Sequence, residues 1–150
     1  MALATYDRDA AVAYARKWAL SRNPKYYDYE KLGGDCTNFV SQCLYAGGGV
    51  MNYKPTFGWY YFSANNHSPS WTGVPYLYNF LVRKSGVGHV GKEVSMDEVQ
   101  ARDISQFAGT SSRFSHTQSY RWTRERGWTV SVSPHIRLTV LTALSLQTSS

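Results

Sequence analysis

Cysteine is scarce: Cys36 and Cys43 are the only two in 150 residues. Seven positions apart on one helix, their Cα atoms would lie about 10 Å apart, beyond disulfide reach. Both are therefore expected as free thiols, and a disulfide-stapled fold is excluded. Histidine is sparse too. His67, His89, His116 and His135 show no ligand spacing with each other or with the cysteines, so neither a metal nor another cofactor is expected. Long apolar runs are missing, since no stretch approaches the roughly 18 residues that would span a bilayer. The first nine residues also lack the basic-then-apolar order of an export signal. A soluble chain without a membrane span is expected.

Acidic residues are few as well, ten against sixteen Lys and Arg, giving a formal net charge of +6. The excess could suit nucleic acid, anionic lipid or an anionic wall polymer. It is concentrated late in the chain, where Arg102, Arg113, Arg121, Arg124, Arg126 and Arg137 face only Asp103 and Glu125. No recognition motif accompanies it, so no nucleic-acid partner is expected.

The chain is rich in aromatics, with twelve Tyr and five Trp, and its length suits one domain. Val12, Ala15, Trp18 and Ala19 recur at helical spacing and predict a helix from about Asp9 to Arg22, capped by Asp7 or Asp9. Cys36, Phe39, Val40, Cys43 and Leu44 predict a second helix, ended by Gly47-Gly48-Gly49. Residues 50–70 read as a long aromatic loop. A third helix is predicted from about Trp71 to Lys84, with Ser70 as cap, Val74, Leu77, Phe80 and Leu81 facing inward, and Gly86 as its stop. Short extended segments follow at His89–Val94, Ile104–Phe107, His116–Tyr120 and Trp128–Val132, while Arg137–Leu146 alternates poorly. Helices first and strands later predict an α+β domain.

The segment Gly33-Gly34-Asp35-Cys36-Thr37-Asn38-Phe39-Val40-Ser41-Gln42 carries the chemistry. A cysteine at a helix N-terminus meets free N–H groups and the positive end of the helix dipole. These favour the thiolate and can donate to a developing oxyanion. Cys43, two turns further on, lacks that setting and reads as core packing. A thiol nucleophile needs a base, and His116, at the start of an extended segment, is the candidate a rigid strand could present. His67 and His89 read as ordinary structural histidines, and Pro134 gives His135 no reason to face Cys36.

That cysteine segment, followed by Trp59-Tyr60-Tyr61 and Ser68-Pro69-Ser70-Trp71, resembles the putative amidase domain family of bacteria, related to the NlpC/P60 and CHAP cysteine peptidases. The likeness covers about residues 5–117. It implies a papain-like fold in which the nucleophile-bearing helix packs on a small antiparallel sheet. It also implies a Cys36–His116 pair, with Asp35 as an oxyanion or supporting residue, that hydrolyses an amide through a thioester. The implied partner is cell-wall peptidoglycan, held in a groove to which Trp59, Tyr60 and Trp71 contribute. A monomer is implied, in the cell envelope or secreted, and otherwise, given the lack of a signal, cytoplasmic. The competing reading is a non-catalytic wall- or glycan-binding module whose aromatics stack on sugars.

The sequence departs from the family pattern at Arg102, where a glycine is expected, and more strongly after Thr117. An apolar strand should follow there, but Gln118–Arg126 is polar and basic, and no third residue to orient the imidazole is recognisable. A one-base shift of frame allows Thr117–Arg121 to encode the missing apolar strand and His135–Ser145 to encode a closing segment like the family's. Residues 1–117 are thus expected as the amidase-like domain, and 118–150 as an atypical tail, read out of frame and poorly folded.

Overall fold

The computed structural model describes residues 6–32, 35–83, 86–94, 104–109, 120–123, 127–130 and 136–146. Helix α1 (Arg8–Trp18) starts where Asp7 Oδ1 accepts from the Ala10 N–H at 2.9 Å, satisfying an otherwise free donor of the first turn. It ends at Trp18, earlier than its periodicity suggests, where Ser21 N–H donates to the Trp18 carbonyl. A single 3-10 turn (Glu30–Leu32) precedes α2 (Cys36–Gly48). Gly49, at φ +67°, closes α2 in the left-handed conformation that a glycine adopts without steric cost. Gly47 lets the chain cross α2 closely: a Cβ there would lie 2.3 Å from the Tyr6 ring, and Asp7 N–H donates to the Gly47 carbonyl.

Residues 50–70 are not one loop. They contain a hairpin of β1 (Tyr61–Ser63) and β2 (Asn66–His67), and a bridge between Asn52 and Trp59. The third predicted helix is two: α3 (Pro69–Thr72), whose cap position is Ser68, and α4 (Val74–Leu81). The physical reason is Pro75, which has no N–H to bond the carbonyl of Trp71 and so breaks the ladder. That carbonyl accepts from Ser41 Oγ instead, at 3.0 Å. Leu77, Phe80 and Leu81 face inward as predicted, and Val74 is half-buried.

The remaining elements are β3 (His89–Val94), β4 (Ile104–Gly109), β5 (Tyr120–Thr123), β6 (Gly127–Val130) and β7 (Ile136–Leu146). Strands β3, β7 and β4 form an antiparallel sheet in that order, and β5 pairs with β6. The fold is α+β, mixing helices with a small antiparallel sheet. The residues expected as an atypical tail supply β5, β6 and the central strand β7. His116, His135 and most of the predicted segment His116–Tyr120 lie outside the described residues.

The described core is built around α2, with Leu44, Leu77, Leu81 and Phe80 packed against Trp59 and Trp71. This corrects the placement of both tryptophans in a substrate groove. Each is 0% exposed, their ring centroids are 4.8 Å apart, and each indole N–H is bonded to α2. Burying two indoles recovers large apolar area, and their N–H groups must find acceptors inside.

Candidate active site

Cys36 is the first residue of α2 and is half-buried. It opens onto a cavity of about 520 Å³ between the end of α1 and the start of α2, lined also by Trp18, Arg22, Asn23, Tyr26, Tyr27 and Gln42. Its Sγ lies 4.0 Å from Thr37 Oγ1. Cys43 makes the contrast: it is buried, and burial pushes its thiol far up, which holds it in the unreactive protonated form.

Asp35 stands at the cap position but does not cap α2 with its side chain. Its Oδ1 accepts from the Tyr29 N–H at 3.0 Å and from Asn38 Nδ2 at 2.8 Å, while Oδ2 accepts from Arg22 at 2.5 Å. Arg22 also pairs with Asp28 at 3.1 Å and Glu30 at 2.7 Å, so one guanidinium gathers three carboxylates beside the cavity. All of these partners are partly exposed, and such a cluster fixes geometry more than it adds stability. The first turn of α2 thus keeps its N–H groups clear of a side-chain cap.

The rest of the segment anchors the helix. Asn38, 1% exposed, donates to the Tyr27 carbonyl and to Asp35 and accepts from Trp71 Nε1 at 2.9 Å. Ser41 accepts from Trp59 Nε1 at 3.1 Å. Gln42 Oε1 accepts from the Tyr14 hydroxyl at 2.7 Å, and Tyr14 accepts in turn from Asn23 Nδ2 at 3.0 Å. Burial pushes the Tyr14 phenol up to about 12, so it remains a neutral donor. Sequence reasoning missed Tyr14, Arg22 and Asn38. The signal that could have found Asn38 and Ser41 is a polar pair three apart on an otherwise apolar helix face.

Tyr60 is half-buried, and its N–H donates to Ser68 Oγ at 2.9 Å. Ser68 and Ser70 share a hydrogen bond, and Ser70 donates to the Gly58 carbonyl at 2.6 Å, which explains the Ser-Pro-Ser-Trp segment as a clasp on residues 58–60. His67 contacts the Tyr29 hydroxyl at 3.2 Å and Thr72 Oγ1 at 3.4 Å. His89 is in the core, edge-on to Trp59 and Tyr6. The structure therefore joins Asp35 to Cys36 at one cavity and removes Trp59 and Trp71 from it. His116 lies outside the described residues. Among the described residues no group of three or more His, Cys, Asp or Glu could hold a metal, and no helix is long and apolar enough to cross a membrane.

The chain matches the putative amidase domain over residues 5–135, past the point where the motif likeness stops. It is 35% identical over 116 residues to the uncharacterized protein YhbB of Bacillus subtilis (strain 168). That alignment takes in 75% of this chain and 36% of YhbB, so the chain spans about a third of that relative's length. No solved structure matches the chain.

Proposed function

Because the chain belongs to the putative amidase domain family, we propose that it hydrolyses an amide bond with Cys36 as nucleophile and His116 as base, on the peptide part of a bacterial cell wall. The observation that carries this reading is the position of Cys36: a half-buried thiol at the first position of α2, open to a cavity of about 520 Å³. The cavity is large enough to admit a peptide side chain or backbone turn. Kinship with NlpC/P60 and CHAP peptidases, and a papain-like arrangement, belong to the same proposal.

The thiolate attacks the amide carbonyl carbon, and the oxygen takes the negative charge. N–H groups of the first turn of α2, which no side chain caps, are the donors available to it. As the tetrahedral intermediate collapses, the C–N bond breaks and the imidazolium of His116 gives its proton to the leaving amine. Water, deprotonated by the same imidazole, then attacks the thioester and releases the acid and the thiolate. Asp35 acts through position, tying the start of α2 to Tyr29 and Arg22.

Alkylation tests the assignment. Iodoacetamide at pH 7, with the modified residue located by mass spectrometry, is expected to label Cys36 at least tenfold faster than Cys43, and Cys36→Ser to abolish the fast phase. Equal, slow labelling of both thiols would mean that Cys36 is not an activated nucleophile.

A further inference from the structure

We propose that the outer face of residues 53–62 is a sugar-stacking surface that holds the glycan strand of a wall polymer, apart from the Cys36 cavity. The choice of a wall glycan rests on the substrate class proposed above, whereas binding itself needs neither Cys36 nor turnover.

The chain is extended through residues 59–62, so successive side chains point to opposite sides. Trp59 and Tyr61 turn inward, at 0% and 9% exposure. Tyr60 and Phe62 turn outward, their centroids 5.6 Å apart, and Tyr53 joins them at 6.3 Å from Tyr60 and 5.3 Å from Phe62. Tyr53 is 59% and Phe62 61% exposed, and Phe57 of the same loop is 78% exposed. Leaving aromatic rings together in water is unfavourable, and such patches mark interaction sites.

The backbone holds this face rigidly. Asn52 and Trp59 exchange both backbone hydrogen bonds, closing the neck of the loop, and Gly58 N–H donates to the Lys54 carbonyl at 2.8 Å. Phe57 N–H donates to the Pro55 carbonyl at 2.7 Å around Thr56, which sits at φ +65°. A threonine in that region is strained, and strain of this kind persists where the surrounding structure over-determines it. The ordering cost of presenting the rings is therefore met before any ligand arrives.

The chemistry around the rings selects the occupant. In a chain of net charge +6, residues 50–71 carry one charged side chain, Lys54. The exposed neighbours are neutral hydrogen-bonding groups: Thr56, Ser63, Asn65 and Asn66. Among the exposed residues of the segment no aliphatic side chain larger than proline stands beside the rings, which disfavours a protein helix or an acyl chain as occupant. Flat aromatic faces with a neutral rim of hydroxyls and carboxamides match the axial C–H faces and the hydroxyl and N-acetyl groups of an amino-sugar polymer.

The test uses the full chain carrying Cys36→Ser, with a β-1,4-linked N-acetylglucosamine hexamer and peptide-stripped glycan strands as probes. Isothermal titration is expected to show binding that Tyr53→Ala and Phe62→Ala each weaken at least tenfold. Saturation-transfer NMR on the unsubstituted face should place the contacts on aromatic protons, which keeps the question open to an answer if a variant fails to fold. No binding of either probe, or binding unchanged by both substitutions, overturns the proposal. So does preferential sedimentation with zwitterionic vesicles, or self-association lost in Phe62→Ala. Because the experiment leaves Cys36 out, sugar binding without alkylation at Cys36, or the reverse, separates this proposal from the hydrolase reading.

Discussion

His89 makes the fold acid-sensitive in a way that can be measured. Its ring is 1% exposed, edge-on to Trp59 at 4.8 Å and to Tyr6 at 5.6 Å, and neither nitrogen has a hydrogen-bond partner among the described residues. The Arg83 guanidinium donates to the His89 carbonyl at 2.5 Å and brings a positive charge near. Burial first, and Arg83 second, push the imidazole down to about 3 from its ordinary 6.5. The folded state thus holds His89 neutral while the unfolded chain takes up a proton below pH 6.5. Stability is intact above that value and is lost as pH falls from 6.5 towards 3. At about 1.4 kcal/mol per unit the whole span is worth about 5 kcal/mol, of which about 2 kcal/mol falls between pH 7 and pH 5. Urea unfolding of wild type and His89→Leu at both pH values isolates this amount. Wild type should lose about 2 kcal/mol more than the variant on going to pH 5, and the variant should be no less stable at pH 7, since it removes two unpaired nitrogens. An equal loss in both proteins would refute the reasoning, because the acid sensitivity would then arise elsewhere.

Asn38→Ala strands Trp71 Nε1 and removes one donor each from the Tyr27 carbonyl and Asp35, and is expected to cost about 2–4 kcal/mol, read as a lower melting temperature by near-ultraviolet circular dichroism. Ser41→Ala leaves Trp59 Nε1 unpaired and should cost less, about 1–3 kcal/mol. Gly58→Ala places a Cβ 2.3 Å from the carbonyl oxygens of Asn52 and Lys54, neither of which can swing aside, and should lower the melting temperature more than Gly49→Ala, whose Cβ meets open space at a strained φ. We further propose that residues after about Gln118 are translated out of frame. Sequencing the coding DNA and reading it one base over should yield the apolar strand and closing segment; a frame that yields neither removes the idea.

Much of the helical architecture was legible because its causes are local. The Asp7 cap, the apolar spacing of α1 and α2, and the glycines after Tyr45 each act within a turn or two of chain. What was not legible depends on partners distant in sequence. Nothing local distinguishes a tryptophan that stacks on a ligand from one that fills a core, and Trp59 and Trp71 are core because Ser41 and Asn38 supply buried acceptors for both indoles. Four consecutive aromatics, Trp59-Tyr60-Tyr61-Phe62, carry no alternation from which their inward and outward sorting could be read, whereas Pro75 did carry the break between α3 and α4. The strand β7 resists reading for another reason: it pairs with β3 on one side and β4 on the other, so its position is set by two partners rather than by its own pattern.

The polar residues of the cysteine segment also explain one another. Asp35, Asn38, Ser41 and Gln42 each hold a distant partner: the Tyr29 backbone and Arg22, Trp71, Trp59 and Tyr14 respectively. These bonds fix α2 along its first two turns in depth, tilt and rotation. Cys36 stands apart from them: among the described residues its sulfur has the 4.0 Å approach to Thr37, and it lines the cavity. A helix so heavily anchored, with a thiol at its tip, is a rigid mount of the kind that positioned chemistry requires. Asn38 and Ser41 also serve the core as acceptors for the two indoles, so the same bonds that bury Trp59 and Trp71 set where α2 begins.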